Sequence, residues 1–154
     1  MQFPIFITLV TLFIYQVLSI CVSAARGKYN IKAPATTGNI NFERVYRTHL
    51  NYLENLVIFL PLVWIGSFEF SSILYLENLR LILSLPLSAL PLWQITEIIG
   101  ALIYVLACLS WLVGKGFFSI AYIKNWAFKT KLTFNIVATA STLILFILGI
   151  ISLF

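Results

Sequence analysis

Four runs of apolar residues decide what this chain can become. Residues 5–24, 44–68, 95–114 and 132–153 are each close to the roughly 20 residues that a helix needs to cross the core of a bilayer. In lipid, every backbone N–H and C=O must find its partner within the protein, so runs of this kind fold as helices. The chain is therefore expected to be all-α, an integral membrane bundle of four spans forming one unit over 154 residues. Composition agrees. The chain is 61% hydrophobic and only 10% charged, where a soluble domain carries roughly 25% charged residues.

The first run has a rival reading as a signal peptide, because Val22-Ser23-Ala24 resembles a cleavage site. The start, Met-Gln-Phe-Pro, lacks the expected positive charge and the run is long, so 5–24 is read as a span. Pro61 lies inside the second span and is expected to kink it or widen a gap between helices. Residues 69–94 carry Glu77, Arg80, Pro86 and Pro91 within Leu-rich sequence, the pattern of a broken or interfacial helix. Gly114-Lys115-Gly116 reads as the end of the third span. Residues 117–131, with Tyr122, Lys124, Trp126, Lys129 and Lys131, then read as a loop at the membrane surface.

The net charge of +5 is unevenly placed. Arg26, Lys28, Lys32, Arg44 and Arg47 surround the first connection, and Lys115, Lys124, Lys129 and Lys131 the third. The second has Arg80 against Glu69, Glu77 and Glu97. The positive-inside rule puts the first and third connections in the cytoplasm and both termini across the membrane. Such short basic loops point to topology and anionic lipid, not to nucleic acid. Cys21 and Cys108 lie within apolar runs and read as small hydrophobes. With one histidine beside them, no disulfide framework or metal site is expected.

The polar residues concentrate in one stretch, NFERVYRTHLNYLEN over 41–55, at the mouth of the second apolar run. On a helix turning about 100° per residue, Arg47, Asn51, Glu54 and Asn55 fall within roughly 80° of Arg44, while His49 lies off that face. Polar groups this near a span are costly unless they face protein, water or a polar ligand. Two readings stay open here: an interfacial anchor with an internal ion pair, and a ligand site. In the third span, Cys108, Trp111 and Lys115 share a face, which reads as packing plus a lysine snorkelling to the surface.

Ala25-Arg26, then Pro34-Ala35-Thr36-Thr37-Gly38, then the phrase FERVYRTHLNYLE over 42–54 resemble the MAPEG family, the membrane-associated proteins in eicosanoid and glutathione metabolism. Ile99-Gly100-Ala101-Leu102-Ile103-Tyr104 is similar to the start of that family's third helix. The resemblance implies a four-helix protomer in a homotrimer, with glutathione as substrate held between protomers near the cytoplasmic face. It also implies that Arg26, Arg47, Asn51 and Glu54 contact glutathione, whose carboxylates suit arginine and whose ammonium suits Glu54. In the third span the family shows an arginine and two tyrosines where this chain has Cys108, Trp111 and Lys115. A later arginine of the family, which holds the sulfur as thiolate, falls near Tyr122 or Lys124. No arginine follows Arg80, so Lys115 and Lys124 are the candidate catalytic cations.

The leading expectation is a membrane-bound glutathione transferase or peroxidase acting on lipophilic electrophiles that the bilayer delivers. The alternative is a non-catalytic protein of the same fold that binds a lipid or glutathione. A channel subunit would carry charges at mid-membrane depth, and here they cluster at one end. No metal is expected. The membrane would be the endoplasmic reticulum in a eukaryote and the inner membrane in a bacterium.

Overall fold

The computed structural model describes residues 2–70, Ser84 and residues 92–151. The chain forms α1 (Gln2–Tyr29), α2 (Ile40–Glu69), α3 (Leu92–Ile123) and α4 (Phe128–Ile151). Each is long and apolar enough to cross a membrane. The protein is an all-α integral membrane four-helix bundle. The segment expected to be broken or interfacial lies, apart from its ends and Ser84, outside the described residues.

Local chemistry explains where the helices start and stop. The Asn39 side chain accepts hydrogen bonds from the Asn41 and Phe42 amides at 2.9 and 3.4 Å, satisfying two donors at the start of α2. Glu43, in the first turn, reaches back to accept from the Gly38 amide at 3.0 Å. This carboxylate also complements the positive end of the helix dipole. α1 and α3 stop in the same way. Asn30 and Asn125 both adopt φ 54°, in the left-handed region. The next amides, Ile31 and Trp126, close back onto the carbonyls of Arg26 and Ala121 at 3.0 and 2.9 Å. Asparagine tolerates this conformation better than most residues, and the closure satisfies a carbonyl left open by the helix end.

The expected stop at Gly114-Lys115-Gly116 is therefore corrected. α3 passes through it to Ile123, and only residues 124–127 connect α3 to α4. Gly114 serves packing instead. A Cβ there would stand 3.0 Å from the Phe134 carbonyl and 3.2 Å from the Ala138 Cβ, so its absence lets the α4 backbone come close. Gly116 meets nothing within 4 Å and plays no such part. α2 continues as one helix through Pro61.

α2 is the central element. It packs most extensively against α1 and also touches α3 and α4, while α3 and α4 form the other close pair. The core is aromatic. Trp111 of α3 stacks on Phe59 of α2 with ring centroids 3.8 Å apart, and Tyr52 meets it edge-on. Tyr104 donates to the Val63 carbonyl at 2.7 Å, and Tyr52 to the Thr11 carbonyl at 3.4 Å. Large apolar side chains such as Leu9, Val57, Leu106 and Phe146 face outward, as a bilayer requires. The antiparallel order brings the end of α1, the start of α2, the end of α3 and the start of α4 to one end of the bundle.

Candidate functional site

The polar face of α2 opens into a cavity of about 140 Å³ at that end. Arg47, Thr48, Leu50, Asn51 and Glu54 line it from α2, and Phe118 and Tyr122 line it from the last turns of α3. The helical spacing of 47, 51 and 54 puts the three polar side chains on one stripe. Arg47 and Glu54 are exposed, and Asn51 is half-buried between them. A second hollow of about 200 Å³ adjoins, lined by Thr36, Thr37, Glu43, Tyr46, Arg47 and Leu50. Arg47 and Leu50 belong to both and form the ridge between them.

Arg26 lines neither hollow. Its Nη1 donates to the Ala35 carbonyl at 2.7 Å, and its guanidinium lies 5.0 Å from the centre of the Phe42 ring. It fastens the connection that carries Thr36 and Thr37 to the start of α2. Two other polar side chains of the stretch are engaged locally. Arg44 donates to Asn41 Oδ1 at 3.2 Å, and Asn55 to the Asn51 carbonyl at 2.7 Å. His49 lies off the site, as its angle on the helix requires. It stacks on Tyr15 with centroids 4.8 Å apart.

Lys115 departs from the snorkelling expected of it. It is 1% exposed and turned inward. Its Nζ donates to Asn51 Oδ1 at 3.2 Å and to Asn135 Oδ1 at 3.0 Å, and it sits 5.2 Å from the centre of the Phe118 ring. A long cationic side chain snorkels only where no acceptor is nearer than the interface. Here α2 and α4 each supply one. Lys115 thus lies behind Asn51 and is not among the residues that line the cavity. Lys124 is exposed in the connection and does not line it either. Lys131 lies 5.4 Å from the centre of the Tyr122 ring. Among the described residues no three His, Cys, Asp or Glu side chains cluster as metal ligands.

Phe118, which lines the cavity, and Asn135, which holds Lys115 behind it, were not singled out by the sequence, whereas Tyr122 stood there only in the surface loop and as the position opposite the family's later arginine. Residues 115, 118 and 122 follow helical spacing, a signal that was masked by reading the two glycines as a stop. In chemical terms the cavity offers a guanidinium, a carboxylate and a carboxamide against two aromatic rings. This set suits a small zwitterion carrying both carboxylate and ammonium groups.

Comparison with known proteins agrees on the first half of the chain. The MAPEG family model matches residues 4–83. An uncharacterized Synechocystis protein is 50% identical over 62 residues, 40% of this chain and 45% of that one. Leukotriene C4 synthase of Bos taurus is 33% identical over 64 residues, 42% of this chain and 43% of that one. Microsomal glutathione S-transferase 2 of Mus musculus is 36% identical over 52 residues, 34% of this chain and 35% of that one. The chain spans less than half the length of each of these relatives. With the family match covering more than half of the sequence, from α1 through all of α2, the chain belongs to the MAPEG family.

Proposed function

We propose that this protein binds glutathione through Arg47, Asn51 and Glu54 and uses it as the thiol substrate of a membrane-bound transferase, or peroxidase, acting on lipophilic electrophiles. The convergence of those three side chains on one cavity carries the reading. Relatives whose names include leukotriene C4 synthase and a microsomal glutathione S-transferase support it. In the transferase reaction the glutathione sulfur forms a bond to an electrophilic carbon, the thiol proton passes to solvent, and the leaving group departs. The protein's contribution is to hold the thiol beside an electrophile arriving from the bilayer.

A specific observation favours a second reading, a non-catalytic binder of lipid or glutathione. Among the described residues, Arg47 is the only cation lining the cavity, since Lys115 and Lys124 stand outside it. A thiol near its ordinary pKa needs a cation or donor to react well at neutral pH. We therefore expect turnover to be slow. The deciding experiment is titration of the purified protein with glutathione in detergent, followed by an ultraviolet scan for bound thiolate. Saturable binding with thiolate absorbance supports the enzyme. Binding without it favours the non-catalytic reading, and no binding removes both glutathione readings.

The cavity of about 140 Å³ is small beside the roughly 300–1,000 Å³ of typical ligand pockets, which fits a site completed by a neighbouring protomer of a homotrimer. Arg26 would then act on glutathione only across such an interface. Native mass spectrometry in mild detergent should show trimers, and monomers alone would overturn the assembly. The basic residues at the site end support a cytoplasmic orientation. A Lys28→Cys probe should be labelled from the cytoplasmic side, and labelling only from the opposite side would reverse the topology.

A further inference from the structure

Asn51 carries a carboxamide that can present either oxygen or N–H to a ligand, and these recognise opposite chemistry. What decides between them is the group behind it. Lys115 Nζ lies 3.2 Å from one end of that carboxamide. A lysine ammonium has three donors and no acceptor, so the end that faces it must be the oxygen. The same holds for Asn135 at 3.0 Å. Lys115 is 1% exposed, so its ammonium is shielded from bulk water. With its oxygen turned toward Lys115, the carboxamide directs its NH₂ away from that lysine, toward the cavity that Asn51 lines.

We propose that Lys115 is a positioning residue. It locks the Asn51 carboxamide with its oxygen inward, so that this wall of the cavity presents N–H to acceptors on the ligand, a carboxylate or carbonyl oxygen. Arg47 on the same stripe has the same preference, whereas Glu54 takes donors. The site is thereby divided along α2. Two neighbouring positions, 47 and 51, select the acceptor end of a zwitterion, and position 54 selects its ammonium. Applied to glutathione, this rests on the function proposed above, but the orientation of Asn51 does not.

A double-mutant cycle on glutathione affinity, with the full-length protein in detergent, tests it. Asn51→Ala should weaken binding about tenfold, the loss of one hydrogen bond to a charged group. Lys115→Met should weaken it about fivefold by freeing the amide to turn, and Lys115→Arg, which also has only donors, should restore it to within about twofold. The double variant should be no worse than Asn51→Ala alone, because Lys115 acts through Asn51. A multiplied loss of about fiftyfold would mean that Lys115 acts on the ligand directly, and would overturn the proposal. So would an unchanged affinity in Lys115→Met. Asn51→Asp keeps an oxygen for Lys115 but has no N–H to offer, so it should lose at least as much as Asn51→Ala. Wild-type affinity in Asn51→Asp would refute the assignment even if Lys115→Met failed to fold. Should the native protein not bind glutathione, the function falls and the orientation is read separately. The side-chain amide NMR resonances of Asn51 should shift in Lys115→Met, and resonances left in place would overturn the lock.

Discussion

The two walls of the cavity differ in character. The α2 wall is polar and built on a regular stripe, with Arg47, Asn51 and Glu54 one turn apart and the family match running through all of them. The α3 wall is Phe118 and Tyr122, lies beyond the matched residues, and keeps its cation out of the cavity. On the binding proposed above, recognition of a ligand's charges would belong to α2, and α3 would contribute shape and aromatic surface. Binding and turnover are separable in such a site. A chain can keep the first intact while the second depends on what the other wall supplies.

The largest effect should come from the α2 wall. Arg47→Ala should weaken glutathione binding roughly 10- to 150-fold by calorimetry, the range for a charge-assisted contact. An unchanged affinity in Arg47→Ala combined with Glu54→Ala would break the comparison outright. Next comes the seam that supports the α3 wall. Gly114→Val pushes a side chain into the Phe134 carbonyl and Ala138, and should cost about 1–3 kcal/mol, read as a lower midpoint of thermal unfolding in detergent. Gly116→Ala, with nothing within 4 Å, should instead be neutral or gain up to about 1 kcal/mol. Phe118→Ala should weaken glutathione only about fivefold, as a wall of shape without charge. A loss equal to that of Arg47→Ala would show that α3 recognises the ligand as strongly as α2 does. Smallest of all, His49→Ala should change affinity less than about twofold, since His49 stacks on Tyr15 away from the cavity.

The sequence carried one of these walls and hid the other. Apolar runs are read almost directly as membrane helices, because lipid permits few alternatives. The stripe on α2 was equally legible, since polar residues beside an apolar run stand out and helical spacing places them. Two things resisted. Gly114 and Gly116 look alike in sequence, yet one admits the α4 backbone and the other sits in open space. That difference exists only between helices. The real stop was Asn125 in the left-handed conformation, matched by Asn30 at the end of α1. Lys115 resisted for the same reason. A lone lysine in a span reads as snorkelling until Asn51 and Asn135, far away in sequence, are seen to converge on it. Arg26 was visible from the resemblance, but the structure turns it to the Ala35 carbonyl and the Phe42 ring, outside both hollows.

The burial of Lys115 also bears on how the protein is made. A lysine at the centre of a membrane-spanning helix costs about 2.5–3.5 kcal/mol and less toward the ends, so a lysine turned inward gains from acceptors within the protein. One of its two acceptors, Asn135, is on α4, the last of the four helices to leave the ribosome. Until then Lys115 has Asn51 of α2 but lacks this second acceptor. Arrival of α4 across residues 124–127 brings Asn135 alongside. α3 and α4 should thus enter the membrane as a hairpin, and a nascent chain stopped before Asn135 should leave Lys115 with one acceptor fewer.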